Sequence, residues 1–142
     1  LIMWPGYCDT HMRITEDDIE KARQEHPDAV VMTHPECTKP VKDVSDVITS
    51  TGGMLKYARE HDDRQYIVAT ETGIIYTLKK QSPDKEFYAA NNKAICIDMK
   101  RIHLEDVTFS LEKEVHKIEV TEDIRARSRK ALDRMVEIVP AK

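Results

Sequence analysis

The sequence predicts an α/β fold in three layers, α/β/α, around a short parallel four-stranded sheet. Three observations lead there. Helical and extended segments alternate along the chain. The extended runs Ala29-Val30-Val31-Met32 and Tyr66-Ile67-Val68-Ala69 are apolar without interruption, as strands covered on both faces must be. Each run ends in polar or turn-forming residues that lead into a helix start, the connection parallel strands need.

The elements follow in order. Thr15 reads as an N-cap with Asp18 as its capping-box partner, and Ile14 and Ile19 flank it as a hydrophobic staple. That helix runs to about His26, where Pro27 and Asp28 stop it. The first strand, Ala29 to Met32, precedes one or two helical turns at Val41 to Ser45. Val47-Ile48-Thr49 is a second strand. Thr51-Gly52-Gly53 then opens a helix with Met54, Leu55 and Ala58 inward. Tyr66 to Ala69 is the third strand. Thr72-Gly73 opens a helix that turns Ile74, Ile75 and Leu78 inward. Ser82-Pro83-Asp84 is a turn, and Glu86 to Ala89 is the fourth strand. Leu104, Val107 and Leu111 have helical spacing, and His116 to Val120 alternates as a short strand or extended piece. Thr121 caps a final amphipathic helix with Ile124, Leu132, Met135 and Val136 on its buried side.

Composition narrows the function. The 142 residues suit about one domain, and 40% hydrophobic with 34% charged residues suits a globular chain with a charged surface. A net charge of −4 argues against nucleic-acid or membrane-surface binding, which need clustered Lys and Arg. No apolar run has the length of a membrane span, and no signal peptide is visible. The three cysteines, Cys8, Cys37 and Cys96, form no CxxC pair, which excludes a zinc ribbon and suits a reducing, cytoplasmic setting. Four glycines cannot spell either common nucleotide-binding loop. The first residue is Leu rather than Met, so the natural chain is expected to extend upstream.

In a parallel sheet, ligands sit beyond the carboxyl ends of the strands. The segments there are Thr33-His34-Pro35-Glu36-Cys37, Ser50-Thr51-Gly52-Gly53, Thr70-Glu71-Thr72-Gly73 and, past Asn91, Ala94-Ile95-Cys96. All should meet on one rim. His34 and Glu36, two apart on a Pro35-constrained loop, have the makings of a general acid–base pair, or of a plain His-Pro turn beside a solvated Glu. Thr51-Gly52-Gly53 offers a hydroxyl and free N–H groups to an anion, or is an ordinary glycine-rich helix cap. Glu71 reads as a buried cap or a residue supporting the site from behind, Cys37 as a partly buried structural thiol, and Cys96 in isolation as core. His26, His61, His103 and His116 read as surface or cap residues, and Tyr57, Tyr66, Tyr76 and Tyr88 as packing residues. Cys8 lies in a Pro-Gly loop with His11 three residues on, and Cys8 and Cys96 bracket one full set of four strands. If such units repeat, equivalent cysteines meet on a shared axis, and converging soft thiolates suit an iron–sulfur cluster.

Five motifs occur in fixed order: Trp4-Pro5-Gly6-Tyr7-Cys8-x-x-His11, Asp28-Ala29-Val30-Val31-Met32-x-His34-Pro35-Glu36-Cys37, Ser50-Thr51, Thr70-Glu71-Thr72-Gly73-Ile74 and Lys93-Ala94-Ile95-Cys96-x-x-Met99-Lys100. Over almost its whole length the chain resembles the quinolinate synthase (type A) family, the NadA family of NAD biosynthesis. The resemblance implies three similar α/β/α domains about a pseudo-threefold axis, of which this chain carries one repeat. It implies a [4Fe–4S] cluster held by one cysteine from each domain, with the fourth iron open as a Lewis acid. The implied reaction is a transferase-type condensation of iminosuccinate with dihydroxyacetone phosphate, in which phosphate and water leave and the ring closes to quinolinate.

Carried onto this sequence, the resemblance makes Cys8 and Cys96 cluster ligands and leaves Cys37 out. It makes His34, Pro35, Glu36 and Thr51 substrate contacts, with Glu36 and His34 catalytic, and places His11 near the cluster. It divides the chain into 1–10 as the end of a preceding domain carrying a ligand cysteine, 11–97 as a complete domain, and 98–142 as a helical extension. Family members are considerably longer. Their third cluster cysteine and further substrate-binding His, Ser, Tyr and Asn residues lie upstream, so this reads as a C-terminal portion that is inactive by itself. Gly52-Gly53 also replaces a more polar pair. The contrasting expectation is a non-catalytic α/β fragment or binding module without a cluster. A weaker one is a metal-free hydrolase using His34 and Glu36.

Overall fold

The computed structural model describes residues 5–138. Trp4, at the head of the first motif, and the opening of the 1–10 segment lie outside the described residues. Four strands form one sheet in the order β2-β1-β3-β4, every ladder parallel. They are β1 (Val30–Thr33), β2 (Val47–Ile48), β3 (Gln65–Ala69) and β4 (Glu86–Ala89). Met32 faces Val47, Val30 faces Tyr66, and Gln65 faces Glu86 across the ladders.

The helices α1 (Asp9–Met12), α2 (Glu16–Glu25), α3 (Lys39–Asp43), α4 (Thr51–Glu60) and α5 (Ile74–Gln81) belong to the same unit as the sheet. The alternation of strand side chains explains the continuous apolar runs. Val31, Ile67 and Ala69 face a core with Ile14, Ile19, Ala22, Cys37 and Val41, from α2, α3 and the loops beside them. Met32, Tyr66 and Val68 face the opposite core, with Met54 and Ala58 of α4, Leu78 of α5 and Phe87. Both faces are thus buried, giving the three expected layers. Each large side chain buried there contributes about 1.5–3 kcal/mol. An exposed pair such as Lys39–Asp43 contributes at most about 1 kcal/mol, so the two cores specify the fold.

Local chemistry sets the element ends. Thr15 and Asp18 make the full capping box: the Thr15 hydroxyl accepts from the Asp18 N–H at 3.3 Å, and the Thr15 N–H donates to Asp18 Oδ2 at 2.9 Å. Asn91 Nδ2 also donates to Asp18 Oδ2, tying the start of α2 to the segment after β4. Burial works against the charged carboxylate, but the Thr15 N–H, the Asn91 amide and the Thr15 hydroxyl outweigh it and hold Asp18 below its ordinary pKa. Asp46 accepts from the Val31 N–H at 2.8 Å and pairs with Arg23, fixing the approach to β2. The cap of α4 is Ser50 rather than Thr51, its hydroxyl accepting from the Gly53 N–H at 3.2 Å.

Several expectations are corrected. Ile74, Ile75 and Leu78 of α5 turn toward the core as expected, Leu78 fully and the two isoleucines partly buried, but Tyr76, expected to pack, stands in solvent. Cys96 is half-buried in a strandless segment, not core.

Residues from Lys100 onward form a second unit. It contains α6 (Leu104–Lys113) and α7 (Glu122–Ile138). His103 caps α6, with its N–H donating to Asp106 Oδ2 at 2.8 Å. Residues His116 to Val120 form no strand. Glu114 and His116 both adopt left-handed φ angles, 50° and 63°, which break an extended run. The apolar positions of α7 are exposed as well: Ile124, Leu132, Met135 and Val136 each keep more than half their surface in solvent. Helical spacing shows that residues share a face, not that something covers it.

Candidate functional site

The site is built at the carboxyl end of β1. The ladder continues one residue beyond the strand, the His34 N–H donating to the Ala69 carbonyl at 3.1 Å. The chain then turns. The Cys37 N–H donates to the His34 carbonyl at 3.0 Å, with Pro35 at the second turn position, where its fixed φ favours that geometry. Glu36 is thereby held at the open rim, its side chain 56% exposed, while Cys37 is driven inward. Cys37 Sγ lies 3.5 Å from the Ala69 carbonyl, and burial pushes its thiol up to about 11. That protonated, enclosed thiol is the structural cysteine expected from the sequence.

A second segment meets this turn. Cys8 precedes the short helix α1, which carries His11 inward over the end of β3. His11 Nε2 lies 2.8 Å from Thr70 Oγ1, a fully buried contact between residues 59 positions apart. Its Nδ1 lies 3.0 Å from Glu36 Oε2, but the approach is not aligned for a hydrogen bond. The rings of His11 and His34 stack at 4.3 Å between centroids and 6° between planes. His34 Nδ1 accepts the Glu36 N–H at 3.3 Å and stands 3.7 Å from Glu36 Oε2. Burial and the neighbouring His11 lower the pKa of His34, with the Glu36 charge opposing them, so the ring is neutral near pH 7.

Of the residues singled out from sequence, the structure brings Cys8, His11, His34 and Glu36 together. Pro35 shapes the turn, and its carbonyl accepts from Lys42 Nζ at 3.2 Å. Thr51 opens α4 just past β2, the strand beside β1, with its side chain exposed. Cys96 lies two residues beyond Ala94, whose carbonyl accepts the Thr72 N–H at 3.0 Å. The segments carrying Cys8 and Cys96 are therefore both tied to the loop after β3, one through Thr70 and the other through Thr72. Glu71 in that loop is buried and takes the Gly73 N–H at 2.7 Å, a capping role for α5. What sequence reasoning missed is Thr70 as the partner of His11. The only available signal was its position on the rim, immediately after β3.

The donor set separates the three thiols. Cys8 and Cys96 are free and half-buried, and thus open to a metal group, while Cys37 is enclosed and protonated. The accessible thiols of Cys8 and Cys96 are thus of the kind that can ligate a metal, and the enclosed Cys37 is not.

The family model described as Quinolinate synthetase A protein matches residues 1–137. The chain is similar to the quinolinate synthase of Thermodesulfovibrio yellowstonii, with 40% identity over 98% of this chain and 46% of that protein. It is similar to those of Geotalea uraniireducens and Pyrococcus horikoshii, each 44% identical, over 95% and 94% of this chain and 44% of each relative. The chain thus spans less than half the length of these curated relatives.

Proposed function

The chain belongs to the quinolinate synthetase A family, and from that membership we propose that it is the C-terminal portion of a quinolinate synthase acting in NAD biosynthesis. The substrates on this reading are iminosuccinate and dihydroxyacetone phosphate, and the product is quinolinate. The observation that carries it is the meeting of His34 and Glu36 with Cys8 and His11 at the carboxyl end of β1, in a chain matched along 137 residues.

Cys8 and Cys96 would hold a [4Fe–4S] cluster together with a cysteine from polypeptide preceding this segment. When bound, that group supplies an open iron as a Lewis acid for substrate oxygen or nitrogen. The remaining chemistry falls to side chains of this chain. Condensation and ring closure require protons to be removed from carbon and delivered to departing oxygen. Neutral His34 can accept a proton, and Glu36 stands at the solvent-facing rim within 3.7 Å of it, so the two can pass one between them. The stacked, buried His11 limits how far His34 can swing. Thr51 and the unpaired N–H groups in the first turn of α4 suit a carboxylate or phosphate of the substrate. The 142 residues alone supply two of the three thiolates and are inactive by themselves on this reading.

The test uses the longer protein that contains this segment. After anaerobic reconstitution, Cys8→Ala or Cys96→Ala should lose the broad visible absorbance of the cluster. Glu36→Gln should keep that absorbance and lose about 10²–10⁴-fold in turnover. Absorbance surviving both cysteine changes would remove the ligand assignment, and normal turnover in Glu36→Gln would remove the acid–base role.

A further inference from the structure

We propose that Cys8, His11 and Glu36 form a site for a single zinc ion, which competes with the cluster for Cys8. A sulfur, a ring nitrogen and a carboxylate oxygen from these residues all lie within 4.8 Å of one another. Zinc accepts Cys sulfur, His nitrogen and carboxylate oxygen, and its sites outside structural fingers combine three protein ligands with an open fourth position.

The second observation is the state of His11. Its side chain is 9% exposed, and Nδ1 is buried without a hydrogen-bond partner, turned toward Glu36 and unaligned with it. A buried ring nitrogen in that position is costly unless a proton or a metal engages it. The opposite nitrogen is already committed to Thr70 Oγ1 at 2.8 Å. With Nε2–H donating to that hydroxyl, the Nδ1 lone pair is left on the side of Glu36, the arrangement in which an outer partner fixes the tautomer of a metal-bound histidine. His34 lies outside the ligand set, since only Cys8, His11 and Glu36 bring their donor atoms this close together. Cys37 is excluded by enclosure and Cys96 is not among the grouped atoms. Binding releases the Cys8 thiol proton to solvent, and the open position accepts water or a carboxylate. The site needs no residue beyond this chain, unlike the cluster.

Cobalt(II) is the probe, titrated anaerobically into the chelator-treated 142-residue chain. One equivalent should produce a thiolate-to-metal charge-transfer band with visible bands of tetrahedral strength, and zinc should displace it. Cys8→Ser should lose the charge-transfer band. Glu36→Gln, on an exposed side chain that folding does not need, and Thr70→Val should each weaken binding about 10-fold or more. Cys96→Ser should leave the titration unchanged, and this separates the site from cluster-type ligation. No charge-transfer band at one equivalent, binding indifferent to Glu36→Gln and Thr70→Val, or a band lost with Cys96→Ser would each overturn the proposal. Far-UV circular dichroism confirms that each variant is folded.

Discussion

At the scale of single residues, Tyr66 carries a measurable oddity. Its ring fills the core between α4 and the sheet, stacking on Phe87 at 5.3 Å and meeting Tyr57 edge-on. Its hydroxyl is buried and finds no partner among the described residues. Burial, reinforced by Asp63 and other acidic neighbours, pushes this hydroxyl up to about 12. In the unfolded chain it ionises near 10, so the folded state holds a proton that the unfolded state releases. Stability from this group is whole below pH 10 and falls as pH rises from 10 to 12. Tyr66→Phe should leave stability at pH 7 unchanged or slightly higher, because it deletes an unsatisfied polar atom, and should flatten the alkaline decline. Urea unfolding at pH 7 and pH 11 measures both effects, and a loss beyond about 1 kcal/mol at pH 7 would contradict this picture. Residue-level roles were legible wherever they depended on nearby sequence: the Thr15–Asp18 box, the Glu71 cap and the enclosure of Cys37 all follow from local pattern. The His11–Thr70 contact was not legible, since only the completed sheet brings together residues 59 positions apart.

At the scale of elements, the start of α4 shows how two adjacent glycines differ. A Cβ on Gly53 would sit 1.8 Å from Thr49 Oγ1 and 3.0 Å from Thr49 Cβ, so turning one side chain cannot relieve the clash. A Cβ on Gly52 would meet nothing nearer than Ser50 Oγ at 4.0 Å. Gly52→Ala should therefore stabilise the protein by up to about 1 kcal/mol through helix propensity. Gly53→Ala should destabilise it by about 1–3 kcal/mol and disturb the Ser50 cap. Thermal melts of the two variants decide this, and equal behaviour would refute it. Thr51 opens this helix as the sequence suggested, and the hydroxyl that caps it belongs to Ser50, one residue earlier. Both types cap well, so composition could not separate them; the extended φ/ψ of Ser50, −66° and 166°, does. Of the two readings of His116 to Val120, the strand does not form, because alternation fixes a strand only where a partner ladder exists.

At the scale of the whole molecule, the alternation of elements and the doubly apolar strands made the parallel α/β/α plan readable. What was not readable is the exposure of α7, since an amphipathic pattern carries no information about its cover. Every residue of the two buried cores lies at or before Ala94. A chain ending at Met99 should therefore keep the far-UV signature of the sheet unit and a cooperative melt within a few degrees of the full chain. Loss of cooperativity on that truncation would show that the second unit supplies stability the core does not. The strand order also bears on how the protein is made. Because all ladders are parallel, no strand can fold back on its predecessor through a tight turn, and the central strand β1 gains its longer partner only when β3 has been synthesised. A nascent chain leaving the ribosome therefore carries Val30 to Thr33 with one flank open through the whole of α3, β2 and α4, a sticky interval suited to capture by a holding chaperone.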